Sequence, residues 1–273
     1  MSEFDFLSRM PVGQYVATDS ILHRMDPRIK ILAFTILVLG LTFSTSKIGL
    51  GIGIGAILIG ILISRVKLSF ALKGLLPPLP FLLIIAVLQL FFVGGADPSS
   101  VIVSLGRIQI TETGIWAGVI LLIRFTGLIL GLSLASFCIS TTEMIQGLQL
   151  LLKPFNRIGI RTTDLVMVIQ VMLRFIPFLA QTAERIAKAQ ASRGAEWGTA
   201  TRSLWNRIRQ VIPLILPLFL ISLRRAENLA LAMDARGYGV LDERTSMYEY
   251  HLQWKDMIFL LLNITISLAV LYA

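Results

Sequence analysis

The chain of 273 residues has one cysteine, Cys138, two histidines, and only 15% charged residues. A lone thiol closes no internal disulfide, and its apolar neighbours in sequence make it a small core residue. Two histidines and one cysteine are too few for a protein-only zinc site, and no metal or cofactor is expected. The phosphate-cradling pattern Gly-x-x-x-x-Gly-Lys-Ser/Thr is absent, so any energy from ATP must come from another chain. The apolar segments hold Arg124, Cys138, serines and threonines, but no histidine and no paired carboxylates. That set does not furnish the nucleophile, base or metal of an intramembrane enzyme, and no catalytic residue is expected. Met1 to Ser20 contains acidic residues and no apolar h-region, so no cleavable signal is expected.

What is present is mostly apolar. Hydrophobic residues make up 55% of the chain, and the mean hydropathy is +0.78. These values describe an integral membrane protein, and an all-α, multi-pass protein of the cell (plasma) membrane is expected. The formal net charge is +9. The excess of Lys and Arg is expected on the cytoplasmic side, with a lipid bilayer and no nucleic acid as its surroundings.

Residues 1–28 read as a cytoplasmic N-terminal segment. Asp26 and Pro27 suit the cap and first turn of a helix, and Arg24, Arg28 and Lys30 place this end in the cytoplasm. His23 and Asp26 invite a catalytic or metal-binding reading. A cap and hydrogen-bond network at the start of the first span is the reading adopted. Residues 29–139 carry four transmembrane helices, at about Ile29–Phe43, Ile48–Ser64, Pro77–Val93 and Gly114–Ile139. Gly49, Gly51, Gly53 and Gly55 in the second suit close approach of another helix. The loop Gly94–Thr113 is poor in positive charge and fits the outer side. Arg124 within the fourth span should face a protein interior or partner, or snorkel. Residues 140–253 form a cytoplasmic helical domain holding more than half of the 25 Lys and Arg. A final span in 254–273 makes about five.

Within 140–253 one pattern occurs twice. Ala183 to Gly194 and Ala226 to Gly237 both read Ala-Glu-x-(Ile/Leu)-Ala-x-Ala-x-x-(small)-Arg-Gly. Each copy is Ala-rich and helical, with Gly where a helix turns through the left-handed region and Arg where the dipole favours a cation. A cap alone needs Arg and Gly, not the matched residues before them. A repeated element suits a partner presenting one surface twice, as a two-fold dimer does. Arg193 and Arg236, always charged and able to grip a carboxylate through two hydrogen bonds, are the candidate tips. The first long helix, with Arg174 at its centre followed by Pro177, is read as lying at the membrane surface rather than spanning it, and the second is too short in its apolar core to span and is expected to bend at Pro213 and Pro217.

The signature Gly13-Gln14-Tyr15 … Asp19-Ser20-x-Leu22-His23-x-x-Asp26-Pro27-Arg28-x-Lys30, with Ser192-Arg193-Gly194 and Ala232 to Gly239, resembles the transmembrane T component of energy-coupling factor (ECF) transporters, the EcfT/CbiQ family. Ser192 stands where the family usually has Ala. The resemblance implies a non-catalytic scaffold whose coupling domain docks on two ABC-type ATPase subunits, and whose helices cradle a substrate-binding S component in the membrane. Arg193 and Arg236 are then the docking residues, one per ATPase. Ala191, Ser192, Gly194, Ala235 and Gly237 allow close approach. ATP-driven closure of the ATPases would move the tips and reorient the S component, taking up a vitamin or other micronutrient. A dedicated cobalt or nickel module and a non-transport membrane scaffold share these features. A self-contained channel or secondary transporter would need two related halves with polar residues at mid-membrane, whereas the repeat found here carries no span.

Overall fold

Asp26 starts the first helix as expected: its carboxylate accepts the amide of Arg28, and Pro27 fills the first helical turn. The computed structural model describes residues 15–16, 18–44, 46–92, 101–105, 108–158, 162–194, 204–240, 250 and 252–272. Gly13 and Gln14 of the N-terminal signature, and residues 195–203 and 241–249, lie outside these. In chain order the elements are α1 (Pro27–Phe43), α2 (Lys47–Ser64), α3 (Leu68–Lys73), α4 (Leu79–Phe92), β1 (Val101–Leu105) and β2 (Ile108–Thr111). Then come α5 (Glu112–Cys138), α6 (Thr141–Leu152), a 3₁₀ turn (Lys153–Ile158), α7 (Thr162–Ser192), α8 (Leu204–Asp234) and α9 (Trp254–Tyr272). The protein is an all-α membrane protein with one small departure. The loop expected over Gly94–Thr113 contains a two-stranded antiparallel hairpin.

The described residues fall into two compact units, one within Gly13–Phe155 and Tyr250–Ala273, the other within Asn156–Glu249. By this division α6 groups with the apolar helices that precede it.

In the first unit α1 is the central helix, in contact with α2, α5, α6 and α9. Phe34, Leu37 and Leu41 of α1 meet Ile57 of α2 and Leu134 of α5 in the core. The α1–α9 contact uses small and polar residues, as suits a bilayer where apolar side chains alone do not drive helices together. A Cβ on Gly40 would lie 2.2 Å from Ser267 Oγ, and that hydroxyl donates to the Ile36 carbonyl at 3.1 Å. The glycine series of α2 divides. Gly49 faces the Val270 carbonyl and Gly53 faces Leu41, whereas Gly51 and Gly55 have open space beside them. The Arg124 guanidinium turns into the protein: Nη2 donates to the Ser44 carbonyl at the end of α1 at 2.6 Å, while the buried Nε has no hydrogen-bond partner among the described residues. Lys47 sits over the Trp116 ring, 4.3 Å from its centroid.

Among the described residues four helices are long and apolar enough to cross a membrane: α2, α5, α7 and α9. This set differs from the expected spans in two ways. Helix α1 covers the expected first span with 17 residues, at the lower end of the ~17–25 that cross a bilayer, whereas α4 has 14, short of that range. The turn at Ser44 ends the one, and the Pro77-Pro78 pair delays the start of the other. Helix α7, read from its charges as lying at the surface, has 31 residues and is apolar through its first half.

The second unit is built on α7 and α8. Both run unbroken through the prolines, Pro177 in α7 and Pro213 and Pro217 in α8. Two contacts set their direction. The Arg225 guanidinium lies 5.0 Å from the Phe178 ring centroid. The Tyr238 hydroxyl donates to Asp164 Oδ1 at 3.4 Å. Residues later in α8 thus meet residues earlier in α7, and the pair is antiparallel.

Candidate functional site

The two Arg-Gly repeats form the same turn. At the end of α7 the Gly194 amide donates to the Ala191 carbonyl at 3.0 Å, and Gly194 has φ +86°. At the end of α8 the Gly237 amide donates to the Asp234 carbonyl at 2.8 Å, the Tyr238 amide reaches back to Met233 at 3.0 Å, and Gly237 has φ +69°. The second pattern is a complete Schellman motif, and the first repeats its inner hydrogen bond. Arg193 and Arg236 therefore occupy equivalent positions, each the last residue before a left-handed glycine. Each glycine allows a turn that a Cβ would strain. Ser192 departs little from alanine here, because its hydroxyl bonds back to the Lys188 carbonyl at 3.0 Å.

Ser192, Arg193, Gly194, Ala235, Arg236 and Gly237 are all exposed, and Ala191 is partly buried. Among the described residues neither guanidinium has an ion-pair or hydrogen-bond partner. Both are charged donors exposed to solvent at helix ends. The antiparallel pairing of α7 and α8 sets the tips at opposite ends of the pair. At 1.5 Å per residue the span between them is roughly 40 Å. The copies differ upstream. Ala187 of the first is fully buried, while its counterpart Ala230 is exposed. Glu184 pairs with Lys188 at 2.5 Å, whereas the second copy has Leu231 at the matching position.

The N-terminal signature forms a separate polar cluster. The Thr18 hydroxyl donates to the Ser64 carbonyl at 2.8 Å. His23 Nε2 lies 3.2 Å from the Phe137 carbonyl, and Nδ1 lies 2.7 Å from Ser20 Oγ. A carbonyl only accepts, so His23 Nε2 donates to it. Arg28 pairs with Asp26 at 3.2 Å, and Asp256 receives the Gln253 amide at 3.0 Å. These groups cap helices and hold segments together, as expected for His23 and Asp26. Among the described residues no group of three or more His, Cys, Asp or Glu side chains is placed to hold a metal.

One residue here escaped the sequence reading. Lys30, taken as a marker of the cytoplasmic side, is fully buried. It donates to the His23 carbonyl at 2.7 Å and to Glu143 Oε2 at 3.2 Å. Glu143 also closes a capping box with Ser140 at the start of α6. The Ser-x-x-Glu spacing is legible in sequence, but the lysine it faces is more than a hundred residues away.

The chain matches the family described as CbiQ, cobalt transport protein, over residues 18–247. It is 37% identical over 247 residues to the energy-coupling factor transporter transmembrane protein EcfT of Clostridium kluyveri, covering 90% of each chain. It is 36% identical to EcfT of Brevibacillus brevis over 265 residues, covering 97% of this chain and 98% of that one. It is also 36% identical to EcfT of Listeria innocua over 266 residues, covering 97% and 96%.

Proposed function

Because the chain belongs to the CbiQ/EcfT family and is a transmembrane component of an energy-coupling factor transporter, we propose that it couples two ABC-type ATPases to a substrate-binding S component. Arg193 docks in one ATPase and Arg236 in the other. The tips and their glycines present a narrow, positively charged helix end to an acidic groove on each. Closure of the ATPase dimer on ATP displaces the tips, and α7 and α8 carry that displacement to the S component in the membrane. The α7–α8 unit lies on the cytoplasmic side of the plasma membrane, and the ATPases hydrolyse the nucleotide. The cargo is a vitamin or another micronutrient held by the S component.

One observation carries this reading. The same Arg-Gly turn occurs twice, exposed and without an internal partner among the described residues, at the two ends of one antiparallel helix pair. A structural cap needs neither the duplication nor the exposure. Two equal tips roughly 40 Å apart suit two copies of one partner better than a single site.

The test is co-purification from detergent-solubilised membranes, comparing wild type with Arg193→Ala/Arg236→Ala and identifying retained proteins by mass spectrometry. Wild type should bring down ABC-type ATPase subunits and a small membrane protein, and the double variant should lose the ATPases. Absence of ATPases from the wild-type sample would favour a non-transport membrane scaffold. The small membrane proteins recovered would separate a shared vitamin module from a dedicated cobalt or nickel one.

A further inference from the structure

The chain leaves the first unit after Phe155 and returns to it at Tyr250, and both crossings are attached to α6. The outgoing chain follows α6 directly. The returning chain is tied to it by the Tyr250 hydroxyl, 2.5 Å from Gln146 Oε1. The returning chain also meets α1, where Arg28 Nη2 donates to the Tyr250 carbonyl at 3.5 Å, and continues into α9; on the outgoing side, displacement of the second unit reaches the apolar helices through whatever holds α6 in place. Helix α6 is held to α1 by two features. Gly147 lets it approach so closely that a Cβ there would lie 2.7 Å from Ile31 Cδ1 and 3.1 Å from the Pro27 carbonyl carbon. The buried Lys30 of α1 binds Glu143 in the first turn of α6.

A fully buried ammonium is a costly way to join two helices. Apolar side chains of similar volume often hold as well or better, whereas a charge pair selects one geometry. Lys30 is also hydrogen-bonded to the His23 carbonyl, and His23 is bonded to the Phe137 carbonyl at the end of α5. The one ammonium thus ties α6 to α1 and, through the His23 segment, to α5.

We propose that the Lys30–Glu143 pair is a rigid mount that fixes α6 to α1, so that movement of the second unit is delivered to the membrane helices instead of being absorbed at their junction. The proposal rests on the coupling role given above. Lys30 and Glu143 are positioning residues acting through α6.

The test uses the complete complex in proteoliposomes and reads uptake per ATP hydrolysed. Lys30→Met and Glu143→Ala should retain their ATPases and hydrolyse ATP, while uptake per ATP falls about tenfold. An unchanged ratio in either assembled variant overturns the mount. If Lys30→Met fails to accumulate, Glu143→Ala decides alone. A second arm needs no partner: hydrogen exchange of the wild-type and Glu143→Ala chains in nanodiscs. The α6 amides should exchange about tenfold faster in the variant, with α2 unchanged. Equal α6 exchange overturns the proposal. Absence of ATP-driven uptake by the wild-type complex would instead overturn the coupling role, leaving the exchange result to judge the mount.

Discussion

Replacing Arg193 and Arg236 by alanine, singly and together, tests whether the tips act as two independent contacts. Both side chains are exposed and have no partner among the described residues, so their loss should change folding stability by no more than ~0.5 kcal/mol. Any weakening of the complex is then loss at the interface. Truncating one side of a desolvated Arg–carboxylate pair costs about 2–5 kcal/mol. The lower end, ~2 kcal/mol, corresponds to roughly 30-fold in affinity per tip. The tips are roughly 40 Å apart, well beyond the ~10 Å within which substitutions usually couple. The two losses should therefore add, to ~4 kcal/mol or roughly a thousandfold. The assay is titration of the purified ATPase pair onto the chain in nanodiscs at one fixed salt concentration. A double variant no weaker than the weaker-binding single variant would refute the two-contact reasoning. Unchanged binding in all three would remove the arginines from the interface altogether.

Other substitutions test the supporting geometry. Gly194→Ala meets no neighbour within 4 Å but must hold φ +86°; it should strain the tip by about 1–2 kcal/mol and reduce ATPase retention with Arg193 intact. Gly194→Asn, which tolerates that backbone better, should retain more, and equal retention by all three proteins would show that the left-handed turn is immaterial. Gly51→Leu/Gly55→Leu points into open space and should leave the chain folded while the S component is lost from the purified complex; undiminished recovery would assign that face to lipid. Gly40→Ala crowds Ser267, whose Cβ and Cα lie 3.1 and 3.3 Å from the added carbon, and should cost about 1–3 kcal/mol. Its Tm in detergent should fall and partly recover with Ser267→Gly, while an unshifted Tm would mean that α1 and α9 are less closely fitted. Arg124→Met strips the donor from the buried Ser44 carbonyl and should destabilise by about 1–3 kcal/mol, read in the same Tm measurement, where no change would contradict that role.

The sequence was most informative where the physics is local. Asp26 capping α1, the glycines ending α7 and α8, and the apolar lengths of α2, α5 and α9 all follow from residues within a turn or two of one another. The hairpin was missed although its signal is present. Val101 to Leu105 and Ile108 to Thr111 are rich in β-branched residues and flank a two-residue connection containing Gly106, a hairpin pattern. The weight given to charge hid it. The placement of Lys30 was not legible, because positive-inside reasoning treats every lysine at a helix start as solvated. Only the fold brings Glu143 to it. The opposite ends taken by Arg193 and Arg236 were equally out of reach, since they depend on the antiparallel pairing marked by Arg225 with Phe178 and Tyr238 with Asp164. The motif residues themselves were found by repetition alone.

Native mass spectrometry of the purified complex tests the central claim most directly, because it counts ATPase subunits per chain. Wild type should carry two. With each ATPase held at a concentration that fills a single intact tip, Arg193→Ala and Arg236→Ala should each carry one, and the double variant none. A wild-type complex with one ATPase, or two ATPases persisting in the double variant, would contradict an account in which each arginine tip holds its own partner.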